Sequence, residues 1–396
     1  MKNFTAYISF LIPVFGVVAP LGLAPLLIFA ALVHIFQVRW RVGTWPRVGG
    51  LTLLVLIVFT VWTAASLAWT PDPQNAAIKL LRLLVLIALG LAFISCIRTS
   101  ANERVVSIAL VTGLMLSICF VFIEKFAGAP LYRAFVGDLP TDDWNLFNNR
   151  FNRGMTVICL VVWPATRALG RLYAPANIAL LLATLSLCAY MNSAAALFAF
   201  LFGAMGYALV WFIPGRQFVT LLGGLIATAI LLMPAAIEQI PIDTKTPLIG
   251  TSLPKSGYHR LLIWDFTNKR IDERPVSGWG FYSSRSIPGG TGFTEGRLPA
   301  LPLHPHNAAL QWRLELGLPG AILGSVLVFL LISASRNYSN RADRAAAAAT
   351  AITTLTIAIL SYGIWQSWWV AALIFSAACM HSVSNADGRP HSSAGN

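Results

Sequence analysis

Long apolar blocks alternate with short polar breaks along the chain. Blocks at 6–19, 21–38, 50–69, 78–97, 104–123, 154–170, 175–191, 194–213, 217–236, 317–335, 345–361 and 364–381 hold few charged residues. A helix needs about 20 residues to cross the hydrocarbon core of a bilayer. A helix also satisfies its own backbone polar groups there, which an irregular segment cannot do. The pattern therefore predicts an all-α membrane bundle of about twelve spans. Two breaks are much longer than connectors, 124–153 and 238–305, and structureless loops beyond about 15 residues are uncommon unless functional. The expected organisation is about nine spans within 1–237, a large loop over 238–305, about three spans within 306–383, and a disordered polar tail at 384–396.

Composition agrees with this reading. The 396 residues are 57% hydrophobic and 11% charged, whereas a soluble domain carries about a quarter of its residues charged. The formal net charge of +13 does not point to nucleic acid, because the basic residues fall in the breaks rather than on one face. Arg39, Arg41, Arg47, Arg98, Arg104, Arg167, Arg171, Arg216, Arg336, Arg341 and Arg344 occupy alternate connections, while those near Pro71–Asn75 and Asn192–Ser193 hold neither Lys nor Arg. By the positive-inside rule both termini lie in the cytoplasm of a bacterial inner membrane, and the two long loops face the periplasm. The N-terminus, Lys2 followed by an apolar run that continues past Pro20 and Pro25, reads as an uncleaved anchor. Cys96, Cys119, Cys159, Cys188 and Cys379 all fall in apolar blocks, which indicates neither a disulfide framework nor a zinc site. Ala345–Ala349 reads as good helix former, and Trp365, Trp368 and Trp369 as an aromatic belt at the membrane interface.

Chemistry concentrates in the large loop. Tyr258–Ile271 approximates an amphipathic helix lying at the membrane surface, and Arg274-Pro275 and Gly278-Trp279-Gly280 follow it. A second segment opens at Leu303-His304-Pro305-His306-Asn307. There Asn307, Gln311 and Glu315 form a polar stripe at i, i+4, i+8 before Gly317 and Pro319-Gly320 break the helix. The bland readings are an interfacial anchor for Arg260, a helix-start residue for His306, a snorkelling cation for Arg313, polar packing for the stripe, and headgroup contacts for Lys269, Arg270 and Arg274. The 124–153 stretch holds Asp138, Asp142, Asp143, Arg150 and Arg153.

Several of these residues together resemble the signature of the O-antigen ligase and polymerase superfamily. They are Arg260-x-x-x-Trp264, then Pro275 and Gly278-Trp279-Gly280, then His306-Asn307 followed by Gly317-x-x-Gly320. The specific motifs lie within 257–320; the topology extends the resemblance over most of the chain. The resemblance implies a membrane enzyme that moves a glycan from a polyprenyl-diphosphate carrier to an acceptor hydroxyl on lipid A–core or on another glycan. Its donor is lipid-linked, its setting membrane lipid, and it needs no cofactor and no metal. In such a family Arg260 would bind the diphosphate and His306 would be essential, plausibly as the base, with His304, Asn307 and Arg313 in support. The residue types suit that chemistry. Arg stays charged and donates in a planar fork to phosphate oxygens, and a neutral imidazole can take a proton from an attacking hydroxyl near pH 7. No acidic pair of metal-binding pattern stands near the motif, so Arg rather than a metal ion would neutralise the phosphates.

One position departs from the family pattern. Where a second Arg is expected at the external start of the eighth span, the chain reads Asn192-Ser193-Ala194. Arg153 is the first candidate to replace it, with Arg150 and Arg285 behind. The resemblance leaves ligase and repeat-unit polymerase open, with ligase favoured by the histidine–asparagine signature and the single large late loop. A transporter of lipid-linked sugars is the non-enzyme alternative. Against it stand the lack of an internal repeat and of paired broken, charged spans.

Overall fold

The computed structural model describes residues 2–42, 50–97, 103–136, 144–213, 215–240, 255–293 and 299–384. Arg47, Arg98, Asp138, Asp142, Asp143, the tail, and the side chains of Arg41 and Arg150 lie outside the described residues. In chain order the helices are α1 (Lys2–Val18), α2 (Leu23–Val42), α3 (Leu51–Ala65), α4 (Pro73–Ile97), α5 (Glu103–Phe126), α6 (Pro130–Val136) and α7 (Trp144–Tyr173). They continue as α8 (Ala176–Tyr190), α9 (Ala194–Phe212), α10 (Arg216–Glu238), α11 (Lys255–Glu273), α12 (Ala308–Ser333), α13 (Arg341–Leu360) and α14 (Ser367–Ser384).

Every apolar block has become a helix. Among the described residues ten are long and apolar enough to cross a membrane, and the α1 and α8 segments are shorter apolar helices. The protein is a multi-pass, all-α membrane protein. The two remaining helices, α6 and α11, occupy the two long breaks. Within the described part of the large loop the regular structure is α11, one 3₁₀ turn at Ser283–Arg285, and an isolated bridge between Phe293 and Pro299.

The bundle has two chemically different ends. At one end, Arg167 and Arg171 of α7 pair with Asp343 at the start of α13, the second at 3.5 Å, and Arg171 also donates to the Val383 carbonyl at the end of α14. Arg341 lies over the Trp211 ring at 5.2 Å, and Arg336 donates to Thr220 at 3.3 Å. At the other end, the large loop meets the short connections between α3 and α4 and between α13 and α14. Thr70 Oγ1 donates to the Phe281 carbonyl at 2.8 Å, and the Gly363 N–H approaches His304 Nε2 at 3.2 Å. The arginines at the end of α7 and in the α12–α13 connection thus share one end with the α9–α10 connection, and the candidate motifs share the other.

Two sequence expectations change here. The apolar residues of α11 pack against protein rather than lie in the membrane surface: Ile263 and Ile271 join Ile237, Trp279, Ile287, Leu310 and Leu314 in a separate core. A half-apolar helix must bury that stripe somewhere, and α10 and α12 supply the surface. The tryptophans of α14 and its approach are not a belt. Trp365, Trp368 and Trp369 are 9%, 4% and 0% exposed, and Trp365 Nε1 donates to Glu315 at 2.7 Å. They sit under the loop because α14 is enclosed by α2, α4, α7 and α13. Ala345–Ala349 is more than good helix former, since all five alanines are buried and their small size lets helices approach closely.

Candidate active site

The site is built on a broken helix. Gly317 within α12 has φ 64° and ψ −157°, a region essentially confined to glycine, and Pro319 two residues on has no N–H to give. The break frees the carbonyls of Leu314, Glu315 and Leu316 from their helical partners. Each finds a replacement. Trp279 N donates to Leu314 O at 2.8 Å, Gly280 N to Glu315 O at 2.8 Å, and Trp62 Nε1 to Leu316 O at 2.8 Å. Leu318 N donates to Val276 O at 3.1 Å. Left unsatisfied, a buried carbonyl costs about 1–3 kcal/mol, so the turn after α11 and the kink in α12 stabilise one another. A Cβ on Gly317 would meet Val276 O at 2.0 Å, and one on Gly278 would meet Gly317 N at 2.5 Å. The two glycine motifs are the two halves of one backbone-to-backbone contact.

The segment of α12 before the break carries the polar stripe. Asn307 caps the helix, its side chain accepting from Leu310 N at 3.1 Å. Gln311 Nε2 donates to Glu315 at 2.9 Å while its Oε1 accepts from Ile364 N at 3.0 Å. The Glu315 carboxylate, fully buried, also accepts from Tyr282 N at 2.8 Å, Trp365 Nε1 at 2.7 Å and Ser284 Oγ. Four donors offset the cost of burying this carboxylate. The stripe is polar packing that locks the loop, α12 and the α13–α14 connection together.

His306 precedes this segment with φ 56°, a left-handed conformation that costs a non-glycine residue roughly 1–3 kcal/mol. Neighbouring contacts hold it there. Trp264 Nε1 of α11 donates to Pro305 O at 2.9 Å, and His306 Nδ1 bonds the Ser361 carbonyl. A carbonyl only accepts, so Nδ1 carries the proton and Nε2 keeps its lone pair. Burial pulls the His306 pKa below its ordinary value; the Ser361 carbonyl opposes this, and Arg260 and His259 add to it. The imidazole is therefore neutral near pH 7 and basic at Nε2.

His304 lies beside it, ring centroids 4.2 Å apart, yet its surroundings differ. Nδ1 faces the His306 N–H at 3.2 Å, and Nε2 faces the Gly363 N–H at 3.2 Å and the Gln366 amide nitrogen at 3.1 Å. The Gln366 oxygen accepts from Trp368 Nε1 at 2.8 Å, which fixes the amide orientation. A neutral imidazole accepts at one nitrogen only, and the two donors at Nε2 place the lone pair there; the contact at Nδ1 is then close approach rather than a bond. Burial, with His306 and Arg285 nearby, pushes the pKa down to about 3. His304 is held unprotonated and bonded, which suits positioning rather than proton transfer.

Two cations come to the His306 side. Arg260, on α11, is half-buried, and burial lowers its pKa while the nearby Tyr362 opposes that shift. Among the described residues no carboxylate pairs with Arg260. A partly desolvated guanidinium without a counterion is costly, and an anion at this position would offset that cost. Arg153 lies on α7 with its guanidinium 5.7 Å from the Trp368 ring centroid, and it too acts on Tyr362 electrostatically. Tyr362 stacks edge-on to Trp368 at 4.7 Å and faces Thr156. Arg260 and Arg153, from distant parts of the sequence, thus converge on Tyr362. Ala194 begins α9 beside α7, where Cys159 Sγ meets the Ala196 carbonyl at 3.5 Å. Positions 194 and 153 therefore open at the same end of the bundle.

The other candidates lie elsewhere. Arg285 bears on His304 and lines a cleft with Lys79 and Gln366. Arg313 is influenced by Asp272 on α11. Arg270 pairs with Glu273 at 2.8 Å, Lys269 with Asp265 at 2.8 Å, and Arg274 lies 4.1 Å over the Trp279 ring. These contacts brace the loop. Sequence reasoning missed Tyr362, Ser361 and Lys79, which stand in motif-free segments and join the site only through the packing of α4, α13 and α14.

Comparison with known proteins agrees with the motifs. Residues 178–325 match a family model described as O-antigen ligase. The chain is 28% identical to a protein of Rickettsia prowazekii described as "putative polysaccharide ligase", over 98% of this chain and 99% of the relative. Similar proteins of the same description occur in Rickettsia felis, 28% identical over 98% and 99%, and Rickettsia conorii, 29% identical over 84% and 80%. These similarities support the resemblance to the O-antigen ligase superfamily. Arg153 and Tyr362 fall outside the matched segment, so their place in the site rests on geometry.

Proposed function

We propose that this inner-membrane protein ligates glycans, and that it transfers a polyprenyl-diphosphate-linked glycan to an acceptor hydroxyl, O-antigen to lipid A–core in particular. The observation that carries this reading is the half-buried Arg260, which pairs with no carboxylate among the described residues, beside a His306 whose Nδ1 is committed to Ser361. The acceptor hydroxyl attacks the anomeric carbon and gives its proton to His306 Nε2. The bond from that carbon to the phosphate oxygen breaks, and its electron pair leaves with the diphosphate. Arg260 and Arg153 offset the charge that develops there. A single displacement inverts the anomeric carbon.

The positive-inside pattern favours a periplasmic site with both termini in the cytoplasm. The large loop over 238–305 is then extracytoplasmic, between the spans of 1–237 and those of 306–383. Repeat-unit polymerisation is the second reading. Helix α6 and the extension of α7 back to Trp144 favour it, because they give the 124–153 stretch structure of its own.

A strain lacking the gene separates the readings. Bare core with long polymer still on the carrier means ligase, and core bearing one repeat with only short carrier-linked units means polymerase. Purified protein in nanodiscs supplies the direct test: His306→Ala is expected to slow transfer about 10²–10⁴-fold. Unchanged lipopolysaccharide, together with no transfer by the purified protein, would refute both.

A further inference from the structure

The molecule holds a second cationic cleft that the transfer step above does not use. It is open to solvent, encloses only about 30 Å³, and is lined by Lys79 of α4, Arg285 and Tyr282 of the loop, His304, and Gly363 and Gln366 ahead of α14. Lys79 Nζ reaches Ser367 Oγ at 3.4 Å, a long and neutral contact. Arg285 and Arg82 both bear on Lys79 electrostatically. Arg285 is exposed at the rim, 5.4 Å from the Tyr282 ring centroid. The one carboxylate lining the cleft, Glu315, is fully buried and already accepts four hydrogen bonds. Among the described residues, two cations thus line the cleft with one committed carboxylate, and Arg82 adds to the positive field on Lys79 from outside it. Like charges gathered without counterions repel, and an anionic ligand relieves that repulsion.

We propose that this cleft is an acceptor subsite, in which Lys79 and Arg285 bind an anionic substituent, a phosphate or a carboxylate, on the acceptor glycan. The proposal rests on the transferase reading. Its location follows from stereochemistry. In an inverting displacement the leaving group departs on the side opposite the attacking oxygen, so leaving-group cations and acceptor contacts lie on opposite sides of the reacting carbon. Arg260 and Arg153 gather by Tyr362, and Lys79 and Arg285 by His304; His306, reached electrostatically by Arg260 and adjoining His304, stands between the two clusters, where a base faces the attacking hydroxyl. His304 forms the shared wall, its ring 4.2 Å from that of His306. An acceptor anchored on Lys79 and Arg285 would present a neighbouring hydroxyl toward His306 Nε2. His304, bonded to Gly363 and Gln366 and unprotonated, keeps that wall in place.

Two measurements test this on the full chain in nanodiscs. The first is equilibrium binding of glucose 6-phosphate, glucuronate and glucose. Wild type is expected to bind at least one anionic sugar about tenfold more tightly than glucose, and the better anion identifies the substituent. Lys79→Gln and Arg285→Gln lose that preference, Lys79→Arg restores it, and Arg260→Gln keeps it. Equal binding of all three sugars overturns the proposal. So does loss in Arg260→Gln with retention in Lys79→Gln, which would assign the anion to the donor site.

The second is transfer from a polyprenyl-diphosphate donor to lipid A–core before and after phosphatase treatment. Lys79→Gln is expected to raise the acceptor KM about tenfold with the intact acceptor only, leaving the donor KM unchanged. A raised donor KM, or the same loss with both acceptors, overturns it. Absence of transfer by wild type would refute the transferase reading instead, and the binding measurement would still decide the cleft.

Discussion

Gly317→Ala tests the idea that the break in α12 is what assembles the site. The added Cβ would lie 2.0 Å from Val276 O and 2.6 Å from Gly278 N, whereas real Cβ atoms keep at least 3.0 Å. The turn after α11 must therefore withdraw by about 1 Å, the difference between those two distances. Withdrawal weakens three backbone bonds, Leu318 N to Val276 O, Trp279 N to Leu314 O and Gly280 N to Glu315 O. At about 1 kcal/mol each, with about 2 kcal/mol for an alanine forced into a glycine conformation, the loss is about 5 kcal/mol. Such terms are not strictly additive, but the sum is comparable to the whole stability of many proteins, about 5–15 kcal/mol. The assay is thermal unfolding in nanodiscs followed by tryptophan fluorescence, with Gly224→Ala on α10 as control. A Cβ on Gly224 meets no atom within 4 Å, so that variant should match or slightly exceed wild type. A Gly317→Ala protein that melts with wild type and transfers glycan at full rate would refute the account of the break.

Three further outcomes are expected. Glu315→Gln places an amide nitrogen against a shell of donors and should destabilise by about 2–4 kcal/mol; an unchanged melting temperature would contradict the four-donor network. The base must be neutral to act, and the His306 pKa lies below 6.5, so transfer should be level above pH 6.5 and fall below it. Arg260→Gln removes a like charge and should move that midpoint upward in the residual activity, and a wild-type midpoint above 6.5 would count against His306 as base. His304 has a folded pKa of about 3 against 6.5 unfolded, so the unfolded chain binds the extra proton between those values and stability falls as pH drops through that window. From pH 6.5 to 5 the loss is about 2 kcal/mol, read as the difference in acid sensitivity between wild type and His304→Asn; equal sensitivity would mean that His304 is not buried and neutral.

The division between what the sequence determines and what folding decides follows the range of the interactions involved. Span positions were legible because hydropathy acts over about 20 contiguous residues, and each apolar block became a helix. The break at Gly317 and Pro319 was legible because backbone conformation is a local property. A compact motif also singled out Arg260, Trp264 and His306 as candidates, and the structure brings these three together through the Trp264 bond to the Pro305 carbonyl and the influence of Arg260 on His306. The purpose of Gly278-Trp279-Gly280 was not, since its partners are carbonyls freed thirty-odd residues downstream, at Leu314 and Glu315. The tryptophans at the start of α14 could be read as an interfacial belt because aromatic enrichment looks the same whether the far side is lipid or protein; only tertiary packing buries Trp369 to 0% exposure. The same limit applies to charge. Sequence ranked Arg260 by its motif and Arg153 ahead of Arg150 and Arg285 as a second cation, but only the tertiary structure shows which groups each one faces. Helix α7 brings Arg153 to Tyr362 with Arg260, while the turn after α11 carries Arg285 to Lys79 and His304. Electrostatic partnership depends on distance in space, and that is settled only when α4, α7, α13 and α14 close around the loop.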